Sequence, residues 1–219
     1  PSEVLLRVIY DSLEFLMLEP AFAHLSPFIF RCIPYAVADL LIPVMEKDMP
    51  KFREKGDIAV RYLEHCLASL HFYRGNLDQA KTLLEQSLEG LLPYGDYAMA
   101  VLNSSMLSVI YRHKGDYARV LELAGQVLMY AEANSIPRYL KMPVLWNLSE
   151  VYVSMGELDS AESSLKEMIT ADTELEEVNL TYPFSTMGKI YLLKGDYIRA
   201  IEWTKKAAQL AERYQLSID

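Results

Sequence analysis

The 219-residue sequence has few of the residues on which several common protein classes depend. Its two cysteines, Cys32 and Cys66, lie in apolar helical patterns without a motif, so we expect free buried thiols in a reducing compartment rather than a disulfide framework. Only 21 basic residues stand against 30 acidic ones, which gives a formal net charge of −9. Because nucleic-acid-binding domains normally carry a basic face, we expect no direct nucleic acid binding by this chain.

The sequence also lacks an uninterrupted apolar stretch of membrane-spanning length. Its longest apolar region, residues 25–45, contains Arg31, Asp39 and three prolines, which favours a buried helical cap over a membrane span. The N-terminus shows neither an initiator methionine nor a signal peptide. We therefore expect a cytoplasmic piece of a longer protein that makes no contact with a membrane.

Signatures of catalysis and of cofactor binding are missing too. The four histidines, at positions 24, 65, 71 and 113, have no metal-ligand spacing. No Ser-His-Asp arrangement, phosphate-binding loop or dinucleotide fingerprint occurs, and no alternation of β-branched residues predicts a sheet. The sequence therefore predicts an all-α protein that is not an enzyme and binds neither a metal nor a cofactor.

What the sequence does contain is a short phrase that occurs four times around a glycine. Gly75, Gly115, Gly156 and Gly195 are separated by 40, 41 and 39 residues. They open the phrases Gly-Asn-Leu-Asp-Gln-Ala, Gly-Asp-Tyr-Ala-Arg-Val, Gly-Glu-Leu-Asp-Ser-Ala and Gly-Asp-Tyr-Ile-Arg-Ala. A fixed period in this range is typical of an array of stacked helix pairs.

Further columns repeat in register with these glycines, and each has a physical reason. An apolar residue eight positions before the glycine and an aromatic residue four positions before it (a histidine in the first copy) build one buried helical stripe. A small residue seven positions before lets a neighbouring helix approach, and the glycine ends the helix in a left-handed conformation. The column eight positions before the glycine contains Leu67, Leu107, Leu148 and Met187, and the column seven before it contains Ala68, Ser108, Ser149 and Gly188. The column four before it contains His71, Tyr111, Tyr152 and Tyr191, and a further column of small residues, five positions after it, contains Ala80, Val120, Ala161 and Ala200.

The phrases also set the expected helix bounds. Asn76, Asp116 and Asp196 are suited to cap the helix that follows each glycine, and Glu157 is the weaker choice. We expect first helices over residues 57–74, 97–114, 141–155 and 181–194, and second helices over residues 77–90, 117–134, 158–170 and 197–214. In the N-terminal part, which lacks the phrase, we expect helices over 4–19, 26–33 and 35–47 and a charged turn over 51–56.

This pattern resembles the tetratricopeptide repeat, whose consensus runs Leu-small-x-x-Tyr, then a turn, then Ala. The resemblance covers about residues 58–214 and departs at His71, at Val120 and in its period, which is near forty residues rather than about thirty-four. It implies a right-handed superhelical solenoid, with four helical repeats in one continuous domain over 57–219 and an irregular helical cap over 1–56. Alternatively, residues 1–56 are the degenerate end of a longer array that continues upstream.

In that family the first helices line the concave face, so the resemblance implies which residues face a ligand or partner. The lining is aromatic and mixed-polar, which suits a small or extended uncharged ligand held by stacking and hydrogen bonds. The alternative is that these aromatic side chains pack against neighbouring helices. The Lys, Asn and Arg positions by which some family members bind terminal carboxylates are not matched. The candidate residues are Tyr62, His65, Ser69, Tyr73, Arg112, His113, Trp146, Glu150, Tyr182 and Lys189.

The long period and the N-terminal cap further resemble the sensor domains of maltose-regulon-type bacterial transcription activators, which are ATP-dependent regulators of the LuxR family. That resemblance implies a non-enzymatic module that self-associates and senses a protein or peptide partner, or a small uncharged inducer such as an oligosaccharide. The alternative is a constitutive scaffold that binds a peptide or a helix in its concave groove.

Overall fold

The computed structural model describes residues 7–8, 10–12, 33, 35–169, 177 and 179–214. Within these ranges every regular element is helical and no strand occurs, which confirms the predicted all-α class. The helices expected over 4–19 and 26–33 fall largely outside the described residues. The helices are α1 (Tyr35–Glu54), α2 (Asp57–Tyr73), α3 (Leu77–Leu91), α4 (Tyr97–His113), α5 (Tyr117–Ala133), α6 (Arg138–Met155), α7 (Leu158–Lys166), α8 (Thr181–Leu193) and α9 (Tyr197–Arg213), with a short 3-10 turn at Leu92–Tyr94.

The predicted bounds of the eight repeat helices agree with these to within a few residues. The largest differences are that α6 begins at Arg138, three residues early, and that α7 ends at Lys166, before a turn. The helix pairs therefore follow the glycine period, as predicted.

Helix α1 corrects the expected charged turn over 51–56. The helix was expected to end at residue 47, but it continues to Glu54 and accommodates Pro43 and Pro50. The reason is packing: Met45 and Phe52, seven residues apart on one face, are fully buried. Burial of the Phe52 ring therefore holds the last turn helical despite its charged neighbours.

The repeated glycines close the first helices as expected. Gly75, Gly115, Gly156 and Gly195 have φ between 73° and 80°, which favours glycine because other residues lack easy access to this region. In each copy the residue after the glycine donates its backbone N–H to the carbonyl of the aromatic column, at 2.9 to 3.0 Å. This is the hydrogen bond of a Schellman-type helix end.

The predicted caps of the second helices are confirmed at two positions. Oδ1 of Asp116 accepts from the backbone N of Arg119, and Asp196 accepts from Arg199 in the same way. The expectation for Asn76 is wrong, because Nδ2 of Asn76 lies 3.4 Å from Nδ1 of His71 and its side chain makes no cap. Glu157, the weaker choice, likewise makes no side-chain cap.

The chain folds into two compact units, one up to Ile110 and one from Tyr111. In the first unit α1 packs on α2 and α2 on α3, around fully buried Leu41, Leu63 and Leu84. In the second, α6 packs with α5 and α7, α8 packs with α9, and α8 also contacts α6 and α7. The predicted boundary between residues 56 and 57 stays a prediction. The core of the second unit includes Met142, Leu145, Ala161, Leu165, Met187, Ile190 and Tyr191.

Candidate functional site

The sequence-predicted site residues of the first unit do not form an open binding face. His65 and Ser69 are each only 2% exposed, so the expectation that they line an exposed inner surface is wrong. The Oγ of Ser69 donates to Sδ of Met106 on α4 at 3.7 Å. Both residues are covered because α2 packs against α4 at this level.

His65 instead belongs to a buried chain of hydrogen bonds that joins α2, α3 and α4. Its Nδ1 lies 2.6 Å from Oδ1 of Asn103, whose Nδ2 donates to Oγ of Ser87 at 2.8 Å. Ser87 in turn donates to the backbone carbonyl of Arg61. Because the amide of Asn103 already donates through Nδ2, its Oδ1 is the acceptor and Nδ1 of His65 carries the proton. Burial lowers the pKa of His65 to about 4, against the opposing effects of the Asn103 bond and the charge of Asp96.

Tyr62 and Tyr73 have different surroundings. The hydroxyl of Tyr62 donates to Oδ2 of Asp96, and Oδ1 of Asp96 accepts from the backbone N of Met99 at the start of α4. Burial, and then the Asp96 bond and charge, hold the pKa of Tyr62 far above its ordinary value. Tyr73 is exposed and meets Phe72 edge-on, with ring centroids 5.5 Å apart. Of the four candidates in this unit, Tyr73 alone presents its ring to solvent.

The second unit brings five of its six candidate residues together on adjoining helices. Trp146 and Glu150 lie one turn apart on α6, and Tyr182 and Lys189 lie two turns apart on α8. The rings of Trp146 and Tyr182 have centroids 5.3 Å apart at an interplanar angle of 35°. The guanidinium Cζ of Arg112 lies 5.6 Å from the centroid of the Trp146 ring, a cation–π contact. His113, the sixth, is exposed and lies outside this cluster.

A hydrogen-bond chain through Thr186 orders this cluster. The indole Nε1 of Trp146 donates to Oγ1 of Thr186 at 3.0 Å, and the Thr186 hydroxyl lies 2.7 Å from Oε1 of Glu150, to which it donates. Lys189 donates to the other carboxylate oxygen, Oε2, at 3.4 Å. Sequence reasoning missed Thr186, although it falls one turn after Tyr182 and so shares its face of α8. We call Arg112, Trp146, Glu150, Tyr182, Thr186 and Lys189 the tryptophan face.

The tryptophan face combines aromatic rings with charged side chains. The Tyr182 side chain is 40% exposed, and its hydroxyl has no hydrogen bond within the described part of the chain. The Lys189 side chain is 51% exposed. Two cations stand here against the single carboxylate of Glu150, so the face is locally positive on a chain of net charge −9. It suits aromatic stacking, a hydrogen bond to a hydroxyl and attraction of an anionic group.

Other kinds of site find no support in the described residues. No group of three or more His, Cys, Asp or Glu side chains is placed there to hold a metal ion. Cys66 is fully buried, and burial raises the pKa of its thiol well above the ordinary value, which makes it unreactive. None of the helices placed by the structure combines the length and the apolar character that a bilayer crossing needs.

Comparison with known proteins identifies what these helix pairs resemble. The tetratricopeptide repeat family matches residues 65–90, 143–174 and 185–214. A curated relative, the BBSome complex member BBS4 of Mus musculus, is 23% identical over 193 residues, or 76% of this chain and 35% of the relative. The chain thus spans about a third of the length of that relative.

Solved structures agree on the fold. BtubC (BKLC) from P. vanneervenii is similar with a TM-score of 0.64 at 16% identity, over 98% of this chain and 94% of that one. A putative kinesin light chain from P. anserina with nearly identical TPR-like repeats is similar with a TM-score of 0.61 at 14% identity, over 89% and 95%. At these identities the likeness shows the fold alone.

Proposed function

We propose that this chain, whose helix pairs match tetratricopeptide repeats, is a non-enzymatic module that binds an extended segment of a partner protein on the tryptophan face. One observation carries this proposal. Trp146 is held in a fixed orientation by Thr186 and Glu150, beside a Tyr182 whose ring and hydroxyl are open to solvent. Rigid aromatic side chains of this kind, with arginine, dominate the binding energy of protein interfaces.

The openness of the face favours a polypeptide over a small molecule. Small-ligand sites usually bury most of the ligand in a cavity, whereas Tyr182 and Lys189 lie on an exposed helix surface. A segment laid across α6 and α8 would stack an apolar or aromatic side chain on Tyr182 and place an acidic one near Lys189. The relative named as a member of the BBSome complex, a protein assembly, is consistent with a partner-binding role.

Selection from a random peptide library displayed on phage, with the 219-residue chain as bait, tests this function. Peptides enriched on the chain should lose binding about thirtyfold or more with the Tyr182→Ala variant, which is the loss expected of an interface anchor. Tyr94→Ala is the matched control, because Tyr94 is a similarly exposed tyrosine in the first unit. Selected peptides that bind Tyr182→Ala as tightly as the unchanged chain would place the site elsewhere and end the proposal.

The second candidate is the sensing of an uncharged inducer within a transcription regulator. The tilted Trp146–Tyr182 pair favours it, because sugars stack on such rings. An oligosaccharide such as maltotriose, at about a hundred times its dissociation constant, should then stabilise the chain by about 2.7 kcal/mol. A melting temperature unchanged at saturating sugar would remove this candidate and leave the constitutive scaffold.

A further inference from the structure

An exposed apolar patch surrounds the turn that joins α8 to α9. Leu192 and Leu193 end α8, and Tyr197, Ile198 and Ile201 lie in the first turns of α9. Each of the five side chains is between 55% and 75% exposed. Scattered apolar residues on a surface need no explanation, but five around one turn do. We call these five residues the α8–α9 patch.

Suppose a further helix pair packed on α8 and α9 in the way that α8 packs on α6 and α7. It would cover only part of the patch. In the preceding pair, α6 and α7, the residue equivalent to Leu192 is Val153, which belongs to the core formed with α8, and the residue equivalent to Tyr197 is Leu158, which is partly buried against that core. The residues equivalent to Leu193 and Ile198 are Ser154 and Asp159, which are polar and exposed. Leu193 and Ile198 are therefore apolar at positions that would stay exposed to solvent even if a further helix pair packed there.

The size of the patch fits pairing with a copy of itself. With more than half of each side chain exposed, the five residues present on the order of 600 Å² of mainly apolar surface, the upper end of what monomers leave in one patch. Two such patches packed face to face would remove about 1,200 Å² from water, the lower limit of a stable specific interface. We propose that the α8–α9 patch is a homodimer interface, in which the patches of two copies of this chain pack face to face about a two-fold axis.

Sedimentation velocity of the 219-residue chain, from micromolar to submillimolar concentration, tests the interface. The unchanged chain should convert reversibly from one to two copies as concentration rises. The double variant Ile198→Glu/Ile201→Glu should weaken this by about a hundredfold or more, because it buries charges against each other. Met129→Glu is the matched control, since Met129 is a 60% exposed apolar residue on α5, and it should dimerise as the unchanged chain does. Circular dichroism confirms that each variant keeps its helices, and Ile198→Ser replaces the double variant if that one unfolds.

A chain that stays monomeric throughout, assembles beyond two copies, or dimerises equally well with Ile198→Glu/Ile201→Glu would overturn the interface. The patch and the tryptophan face share no residue, so the peptide selection tests that face separately.

Discussion

Nδ1 of His65 on α2 and Oδ1 of Asn103 on α4 lie 2.6 Å apart inside the first unit, with both residues almost fully buried. The two residues are 38 positions apart in sequence, so the bond fixes the register of two first helices against each other. A buried polar chain of this kind costs stability when any member loses its partner. The imidazole is also the one member whose ordinary pKa lies near neutral pH.

The first prediction is a loss of stability in mild acid that depends on His65. Its pKa is about 4 in the folded chain and about 6.5 when unfolded, so the unfolded state binds more protons between these values. The contribution of neutral His65 to the free energy of unfolding is complete above pH 6.5. As pH falls to 4, the free energy of unfolding drops by about 3 kcal/mol. Urea unfolding at several pH values should show this slope.

The control for that experiment is His65→Gln, which retains an amide donor but does not titrate. Its free energy of unfolding should be lower than that of the unchanged chain at pH 7.5, and the difference should narrow as pH falls below 6. Equal pH dependence in the two chains would mean that other groups, and not His65, cause the acid loss.

The second prediction concerns Gly188, the small residue at which α8 crosses α9. A Cβ atom there would lie 2.5 Å from Oγ1 of Thr204 and 3.3 Å from the carbonyl oxygen of Ala200. Gly188→Ala should therefore destabilise the chain by about 1 to 3 kcal/mol, although alanine is the better helix former. The measurement is the urea midpoint, and Gly188→Ala/Thr204→Ala should recover part of the loss.

Gly125 on α5 is the matched control for that substitution. A Cβ at Gly125 meets nothing within 4 Å, so Gly125→Ala should stabilise the chain by about 0.5 to 1 kcal/mol through helix propensity. If Gly125→Ala and Gly188→Ala changed the free energy of unfolding in the same direction, the close approach at Gly188 would not be the cause of the Gly188→Ala effect.

Much of the fold could be predicted because its determinants are local. The glycine with positive φ and the residue that follows it end one helix and begin the next, so the period of the phrases fixed the bounds of the pairs. Helix α1 was predicted too short, because Pro43 and Pro50 suggest a break, whereas burial of Phe52 keeps the helix intact. That burial depends on contacts with distant residues, which the local pattern does not contain.

The candidate site was predictable only in part, for a similar reason. Spacing from the glycines identified Trp146, Glu150 and Tyr182, which the structure brings together. The same spacing also predicted an exposed His65, but this residue is buried. The prediction failed because exposure at that position depends on how α4 packs on α2. Thr186 was not predicted, because its role depends on hydrogen bonds with Trp146 and Glu150 on another helix, which spacing along the chain does not show.

The third prediction concerns Glu162 on α7, whose carboxylate links α7 to α8 through hydrogen bonds. Its Oε1 accepts from the hydroxyl of Tyr191 and its Oε2 from Lys194, both at 2.7 Å. Burial acts to raise the pKa of Glu162, but the bonds from Lys166, Lys194 and Tyr191 outweigh it and lower this pKa to about 2. The folded pKa lies below the unfolded value, so the stabilisation is present above pH 4.5 and is lost as pH falls toward 2.

Glu162→Gln should therefore lower the free energy of unfolding by about 1 to 2 kcal/mol at pH 7, with a difference that shrinks below pH 4. A double-mutant cycle with Tyr191→Phe should give a positive coupling energy, since both changes remove the same bond. Additive effects would show that the Tyr191 hydroxyl does not stabilise the carboxylate.

The fourth prediction is that Thr186 orients the tryptophan face. Thr186→Val keeps the shape of the side chain but removes the bonds to Nε1 of Trp146 and Oε1 of Glu150. The indole is then free to reorient, so its fluorescence emission, measured in a Trp203→Phe background, should shift, and stability should fall by about 1 to 3 kcal/mol. Peptides selected on the unchanged chain should bind this variant more weakly.

Thr82→Val is the matched control, because the Thr82 hydroxyl donates to the backbone carbonyl of Asp78 on an exposed helix surface. It removes one hydroxyl of the same kind and should leave both the Trp146 emission and peptide binding unchanged. If Thr186→Val shifts the emission but peptide binding stays intact, Thr186 orients the indole but this orientation is not required for peptide binding. Unchanged emission would show instead that the Arg112 and Tyr182 contacts alone fix the ring.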